Sequence, residues 1–228
     1  MGSLLSRRLW VVIAAYNEAR VIDRVVGDVA RRGYSIVVVD DGSSDATAEA
    51  ASGANAVIRH PVNLGQGAAL QTGVDYALGQ GADIIVTFDA DGQHRAADID
   101  SLVGALGEAQ ADFALGSRFL GRSVGLPWSR SLVLRAATYF TRATTGLRLS
   151  DTHNGLRAMT RRGAGMIRLR QNRMAHASEI LGQIAASGLP FVEVPVSIEY
   201  SAYSLAKGQR LSDALMILLD LFARRLYR

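Results

Sequence analysis

Asp83-Ile84-Ile85-Val86-Thr87-Phe88-Asp89-Ala90-Asp91-Gly92-Gln93-His94 is the stretch around which the chain is organised. Residues 84–88 form an apolar, largely β-branched run with an aspartate on either side, the pattern of a strand buried on both faces. At its C-terminal end stand Asp89 and Asp91, followed by Gly92 for a sharp turn. Residues two apart in an extended segment point to one side. The pair could therefore hold one hard divalent cation, completed by waters and a ligand's phosphates. Ligands of open α/β sheets bind outside the carboxyl ends of strands, which lifts this D-x-D above a solvated polar turn.

Upstream, the chain alternates short apolar runs with helical stripes. Residues 9–15 read as a first strand closed by Tyr16-Asn17-Glu18, with Asn17 placed to cap a helix carrying Val21, Ile22, Val25, Val26 and Val29. Residues 36–39 read as a second strand, ending in Asp40-Asp41-Gly42-Ser43-Ser44-Asp45, where Ser44 or Asp45 caps a short helix. A third strand at 56–59, a turn-rich loop at 60–67 and a helix at 68–78 lead into the opening strand. Alternation with short connections predicts a parallel sheet with crossover helices.

Downstream, the pattern predicts a helix over 97–110, a strand at 113–115, the loop Gly116-Ser117-Arg118 and a mobile Gly-rich stretch over 120–127. A long helix over 128–144 precedes Asp151-Thr152-His153-Asn154-Gly155-Leu156-Arg157-Ala158-Met159. Helices at 161–167 and 175–187, strands at 191–194 and 196–200 separated by Pro195, a polar loop with Lys207, and an amphipathic helix over 211–226 complete the reading.

The bulk properties exclude several classes. The 228 residues suffice for one large domain or two small ones, and 49% hydrophobic with 20% charged residues is a globular balance. With no cysteine, disulfides and thiolate metal sites are ruled out. The net charge of +4 is modest, but Arg7, Arg8, Arg224, Arg225 and Arg228 gather it at the two ends. That placement favours anionic ligands or an anionic lipid surface. With 7% aromatics and no nucleic-acid motif, no nucleic-acid partner is expected. No apolar run reaches the roughly 18 residues of a membrane span, and the start lacks a signal-peptide pattern.

Three acidic clusters follow three strands of one parallel sheet: Glu18, Asp40 with Asp41, and Asp89 with Asp91. They share one sheet edge, and converging like charges need a cation or donors to offset them. The competing reading is three separate helix caps. Asp45 is read as a cap and Asp41 as a ligand contact. Gly65 and Gly67 would let the backbone approach a ligand, although no P-loop or dinucleotide fingerprint is present. Arg118, after a strand end on the same edge, suits a phosphate. Asp151, His153, Asn154 and Arg157 bring acid, imidazole, amide and guanidinium into one short stretch. His94 is the better-placed imidazole for a metal, and Glu179 is either a base or a surface carboxylate.

Taken in order, Val11-Val12-Ile13-Ala14-Ala15-Tyr16-Asn17-Glu18, Val37-Val38-Val39-Asp40-Asp41-Gly42-Ser43-Ser44-Asp45, Asn63-Leu64-Gly65-Gln66-Gly67 and Asp89-Ala90-Asp91-Gly92-Gln93-His94 form a pattern. It resembles family 2 of the glycosyltransferases, inverting enzymes of the GT-A fold. Gly116-Ser117-Arg118 and Asp151-Thr152…Asn154-Gly155-Leu156-Arg157 extend the match toward the branch similar to dolichyl-phosphate mannose synthases and polyprenyl-phosphate glycosyltransferases. The resemblance implies one α/β domain with a mostly parallel, Rossmann-like sheet. About residues 7–118 would form a nucleotide-sugar half and about 119–228 an acceptor half.

Position by position, the resemblance implies that Ala15, Tyr16, Glu18 and Asp41, with Gly65, line the nucleotide pocket. Asp89 and Asp91 would hold Mg²⁺ or Mn²⁺ on the diphosphate, with Gln93 near the metal or the acceptor phosphate. Arg118 and Arg157 would bind the lipid phosphate or diphosphate, and Lys207 would close over the donor. Ala14 stands where proline is usual and Gln66 where lysine is frequent, and the chain ends without the membrane segments many relatives append. Membrane contact would then be peripheral, on the cytoplasmic face, through the 211–226 helix, whose apolar face equally suits core packing or a homo-oligomer seam.

The implied activity is hexose transfer from a nucleotide-sugar of GDP-mannose or UDP-glucose type to a polyprenyl phosphate. A phosphate monoester is already anionic near neutrality and needs no base. A hydroxyl acceptor, as in a saccharide or metabolite, would need one, with Asp151 or Glu179 as candidates. A sugar-phosphate nucleotidyltransferase lacks its Gly-rich basic first loop here. A non-catalytic nucleotide-sugar binding module would have no use for the Asp89/Asp91 pair.

Overall fold

The computed structural model describes residues 8–170, 175–200 and 203. Lys207 and the expected helix over 211–226 lie outside the described residues. Seven strands, β1 (Leu9–Ala15), β2 (Ser35–Asp40), β3 (Ala56–Arg59), β4 (Ile84–Asp89), β5 (Phe113–Val124), β6 (Arg157–Thr160) and β7 (Phe191–Glu199), form one sheet in the order β3-β2-β1-β4-β6-β5-β7. β1 pairs in parallel with β2 and β4, β2 with β3, and β5 with β7, whereas β6 runs antiparallel between β4 and β5. The mostly parallel α/β architecture expected from the sequence is the one observed.

Alternation along the strands sorts the core into two layers. On β1, β2 and β4, Val11, Ile13, Ile36, Val38, Ile84, Val86 and Phe88 face one side. There they meet Ile22, Val25, Val26 and Val29 of α1 (Ile22–Ala30) and Ile99, Leu102 and Leu106 of α4 (Asp98–Glu108). Val12, Val37, Val39 and Ile85 face the other side. Their partners include Ala69, Leu70, Val74 and Ala77 of α3 (Gln66–Gly79) and Ile180, Leu181 and Ile184 of α7 (Ala175–Ser187). Apolar residues at consecutive positions are thus buried on both faces, as a helix-covered parallel sheet requires.

Several local expectations are corrected. α1 has Val21, not Asn17, at its N-cap, and α2 (Thr47–Ala50) begins after Ala46 without a side-chain cap. The Gly-rich stretch after Arg118 is not a loop, because β5 continues to Val124 and pairs Arg122, Ser123 and Val124 with Ser197, Ile198 and Glu199. β7 runs unbroken through Pro195, since it is the last strand of the sheet and an edge strand tolerates a missing N–H. β6 was not expected at all.

The order of strands fixes the site. From β1 the chain winds outward through β2 to β3, then returns across the sheet to β4 on the other flank of β1. The gap above the C-terminal ends of β1 and β4 is therefore the topological switch point, where a crevice forms. In register, Ala14 stands beside Asp89 and Ala15 beside Asp40. β6, running the opposite way, starts at this same edge with Arg157.

Candidate active site

A cleft of about 430 Å³ occupies this edge. Ala15, Tyr16 and Glu18 after β1, Asp41 after β2, and Gly65 and Gln66 at the start of α3 form one side. Asp89, Asp91, Gln93 and His94 after β4 form its centre. Arg118, His153, Gly155, Arg157 and His176 close the other side. The structure thus brings together most of the described candidates of the sequence reading; Asp40, Gly67, Asn154, Asp151 and Glu179 do not line the cleft.

The first two loops are stitched to each other. Asn17 adopts φ +54°, donates its N–H to Ser43 Oγ at 2.9 Å and accepts from Ser44 N at 2.9 Å. Glu18 N donates to Thr47 Oγ1 at 2.8 Å and Ala19 N to Asp45 Oδ2 at 3.2 Å, while Asp45 Oδ1 accepts from Thr47 N at 3.1 Å. Asp41 borders the cleft, but both its oxygens hold the next loop. Oδ1 accepts from Leu64 N at 2.9 Å and Oδ2 from Gly65 N at 2.7 Å. His60, whose role the sequence did not suggest, lies 2.8 Å from Asp41 Oδ1 through Nδ1 and 3.0 Å from Thr72 Oγ1 through Nε2. Tyr203 donates its hydroxyl to Glu18 Oε2 at 2.8 Å.

The two central carboxylates differ electrostatically. Burial pushes the Asp89 carboxyl up, but the hydrogen bond from His94 and the positive charge of His94, Arg157 and His176 outweigh it, and its pKa falls below the ordinary range. His94 Nε2 lies 3.0 Å from Asp89 Oδ2, while its Nδ1 is buried with no hydrogen-bond partner among the described residues. Burial and then the Asp89 charge push Asp91 up to about 6. Gln93, expected near the metal, braces Asp91: its backbone N donates to Oδ1 at 3.0 Å and Nε2 to Oδ2 at 2.7 Å. Gly155 passes directly over Asp89, where a methyl group would collide with the carboxylate.

This arrangement fits a divalent cation only in part from the protein side. Two oxygen-bearing carboxylates face one cleft and Asp89 raises the proton affinity of Asp91, a strain that a hard cation would relieve. Among the described residues no group of three His, Cys, Asp or Glu side chains could hold a metal. Water and ligand oxygens would therefore have to complete the shell.

Arg118 and Arg157 are both buried, 7% and 3% exposed, but differ in commitment. Arg118 donates Nε to Asp151 Oδ2 at 2.6 Å, Nη1 to Tyr200 Oη at 2.7 Å and Nη2 to the His153 carbonyl at 2.5 Å. Its backbone N also reaches Asp151 Oδ2, while Oδ1 accepts from His153 N at 3.2 Å. Asp151, a base candidate for a hydroxyl acceptor, is thus a buried counter-ion that fixes Arg118. Glu179, the other, is spent on the segment before α7, where its oxygens accept from Arg170 N at 3.0 and 3.1 Å. The Arg157 side chain has no hydrogen bond or ion pair among the described residues and borders the cleft beside Asp89. Burial lowers its pKa, opposed by Asp89 and Asp151, yet a guanidinium stays charged.

His153 is pushed down to about 4 by burial, against the pull of Asp151 and with the push of Arg118 and Arg157. Between about pH 4 and 6.5 the unfolded chain binds the extra proton, so this group's contribution is present above pH 6.5 and lost as pH falls. His153→Gln is expected to flatten the acid loss of stability across that window by up to about 3 kcal/mol, read from urea unfolding at stepped pH. An unchanged slope would remove His153 from the acid response.

A family model described as "Glycosyl transferase family 2" matches residues 10–165. The chain belongs to this family. It is a glycosyltransferase. An uncharacterized protein of Methanocaldococcus jannaschii is 33% identical over 225 residues, covering 96% of this chain and 93% of that protein. The UDP-N-acetylglucosamine–dolichyl-phosphate N-acetylglucosaminyltransferase of Methanococcus voltae is 30% identical, covering 90% of this chain and 91% of its own. The polyprenol monophosphomannose synthase of Mycolicibacterium smegmatis is 29% identical, covering 92% and 85%. Among solved structures, glucosyl-3-phosphoglycerate synthase from Mycobacterium tuberculosis in complex with Mn²⁺, UDP-Glc and phosphoglyceric acid superposes with a TM-score of 0.72 at 20% identity, covering 96% of this chain and 80% of that one. At that identity the likeness is one of fold, and the fold is the GT-A arrangement expected from the sequence.

His176 and Gly155 are among the cleft residues that sequence reasoning left without a role. Gly155 carried a signal in its place before Leu156-Arg157. His176 carried none, because nothing local tells that the start of α7 turns toward the sheet edge.

Proposed function

We propose that this glycosyltransferase moves a hexose from a nucleotide-sugar to a polyprenyl phosphate, with inversion at the anomeric carbon. The observation that carries the reading is Arg157, a buried guanidinium on the cleft with no carboxylate bonded to it among the described residues. Such a group is costly without an anion, and its planar fork suits a phosphate. Two base candidates, Asp151 and Glu179, are occupied elsewhere, which disfavours a hydroxyl acceptor. The names of the Methanococcus voltae and Mycolicibacterium smegmatis relatives point the same way.

In this reading Ala15, Tyr16, Glu18 and Asp41, with Gly65, receive the nucleotide, a donor of GDP-mannose or UDP-glucose type. Asp89 and Asp91 would hold Mg²⁺ or Mn²⁺, which when bound supplies positive charge to the departing diphosphate. Arg157 holds the acceptor phosphate, and Arg118, locked by Asp151 and Tyr200, shapes the wall beside it. One phosphate oxygen attacks the anomeric carbon, the bond to the nucleoside diphosphate breaks, and its electron pair leaves with the diphosphate. A phosphate monoester has its second pKa near 6, so it attacks as the dianion and no proton need be removed.

A lipid acceptor calls for contact with a membrane. Among the described residues no helix is long and apolar enough to cross one. On α5 (Trp128–Thr145), however, Trp128, Leu132 and Tyr139 are 78%, 59% and 76% exposed at spacings of four and seven, so they share one helix face. Exposed Leu120 and Val124 on the β5 extension add to the apolar surface, and Arg135 lies over Phe119 at 5.3 Å. An aromatic and basic surface of this kind suits peripheral docking on the cytoplasmic face of the membrane.

The test is transfer of labelled sugar from GDP-mannose, UDP-glucose and UDP-N-acetylglucosamine to a polyprenyl phosphate, with Mg²⁺ or Mn²⁺ present. Arg157→Gln is expected to lower kcat/KM for the phosphate acceptor by about 10²-fold, with donor affinity largely kept. Transfer to saccharide hydroxyls but not to polyprenyl phosphate would overturn the reading.

A further inference from the structure

The turn after β4 has two sides. Alternate residues of an extended segment face opposite ways, and while Asp89, Asp91 and Gln93 border the candidate active site, Phe88 and Gly92 border a second cavity of about 410 Å³. His94 borders both. The far wall of the second cavity is α1 and its end, with Arg24, Arg31 and Arg32, and Arg95 completes the rim.

These four arginines are not equally engaged. Arg31 is paired with Asp28, and Arg32 with Asp100, which also accepts from the Tyr34 hydroxyl. The guanidinium groups of Arg24 and Arg95 have no ion pair or hydrogen bond among the described residues. Two carboxylates border the cavity, Asp28 and Glu199, and the first is already taken by Arg31. The end of Arg24 also reaches the turn: Gly92 has φ +73°, and a Cβ there would meet Arg24 Nη2 at 2.7 Å. The backbone angle calls for glycine at this position, and the absence of a side chain leaves room for the arginine's end.

We propose that this cavity is a second anion site, taking a phosphate-bearing group on Arg24 and Arg95 behind the D-x-D turn. Two guanidinium forks without carboxylate partners offer the donors a phosphate accepts. The cavity is of a size for a single headgroup or a free diphosphate rather than a polymer. Occupancy would pull Arg24 toward the anion and away from Gly92, so the turn bearing Asp89 and Asp91 would respond to what is bound behind it.

The test uses the full chain with Arg24→Ser/Arg95→Ser, and Arg95→Ser alone should the double variant fail to fold. Calorimetric titration with inorganic pyrophosphate is expected to show two classes of site in the unaltered protein. The arginine variants are expected to lose one class, while Arg157→Gln loses the other. Cosedimentation with phosphatidylglycerol vesicles, against phosphatidylcholine, then identifies the source. Loss of the pyrophosphate site together with at least a tenfold fall in vesicle binding means a lipid headgroup, and loss of the site with vesicle binding unchanged means a free phosphate compound. Unchanged pyrophosphate stoichiometry overturns the site, even if vesicle binding falls, because the arginines would then act as diffuse surface charge. No readout uses turnover, so this inference and the proposed reaction fail separately.

Discussion

Arg118→Met should lower the stability of the folded protein by about 3–5 kcal/mol, the cost of leaving a buried carboxylate without its partner. Asp151 is 4% exposed, and Arg118 meets it at 2.6 Å through Nε. The same guanidinium also donates to Tyr200 Oη and the His153 carbonyl, so one substitution takes a donor from three acceptors. Chemical denaturation of Arg118→Met, Asp151→Asn and the double variant forms the check. The double variant is expected to recover part of the loss, because removing both charges costs less than removing one. Strictly additive losses would mean that the two side chains are not coupled, and would sink the assignment of Asp151 as the counter-ion of Arg118.

Asp91→Asn is expected to move activity and stability in opposite directions. Without the second carboxylate, transfer should fall by about 10³-fold or more, the scale of losing an electrostatic group at a developing charge. Stability without divalent cation at pH 7.5 should rise. The sign follows from the upward shift to about 6: between 3.8 and 6 the native state binds more protons than the unfolded chain, so stability falls as pH rises through that window. Removing the charge recovers up to about 3 kcal/mol above it and nothing below about pH 4. Thermal unfolding at pH 4 and 7.5, in EDTA, reads this directly. A variant less stable than the parent at pH 7.5 would show that Asp91 is a structural carboxylate, not one held under strain.

The strands that lead to the cleft were legible because each is a dense run of β-branched residues: 36–39 and 84–88 cannot bury both faces any other way. The edge they share follows from alternation with helices. β6 was hidden, since Arg157-Ala158-Met159-Thr160 is short, lacks a long apolar run and begins with a charged residue. The β5 extension was hidden for a related reason. Leu120 to Val124 is exposed, and its strand form depends on Ser197–Glu199, seventy-odd residues away, for its ladder. Among the site residues, Asp89 and Asp91 could be read from a strand end and a turn. The commitment of Asp41 to Leu64 and Gly65, and of Asp151 to Arg118, could not, because each pairing joins loops that only the finished sheet brings together.

β6 has a bearing on how the enzyme moves. The chain leaves β5, wanders through α5 and re-enters between β4 and β5, where its backbone is laddered to both. The half expected to receive the nucleotide and the half expected to receive the acceptor are therefore sewn through the middle of one continuous sheet. A hinge between them would have to tear a central strand from its neighbours, so the two halves cannot open and close like jaws.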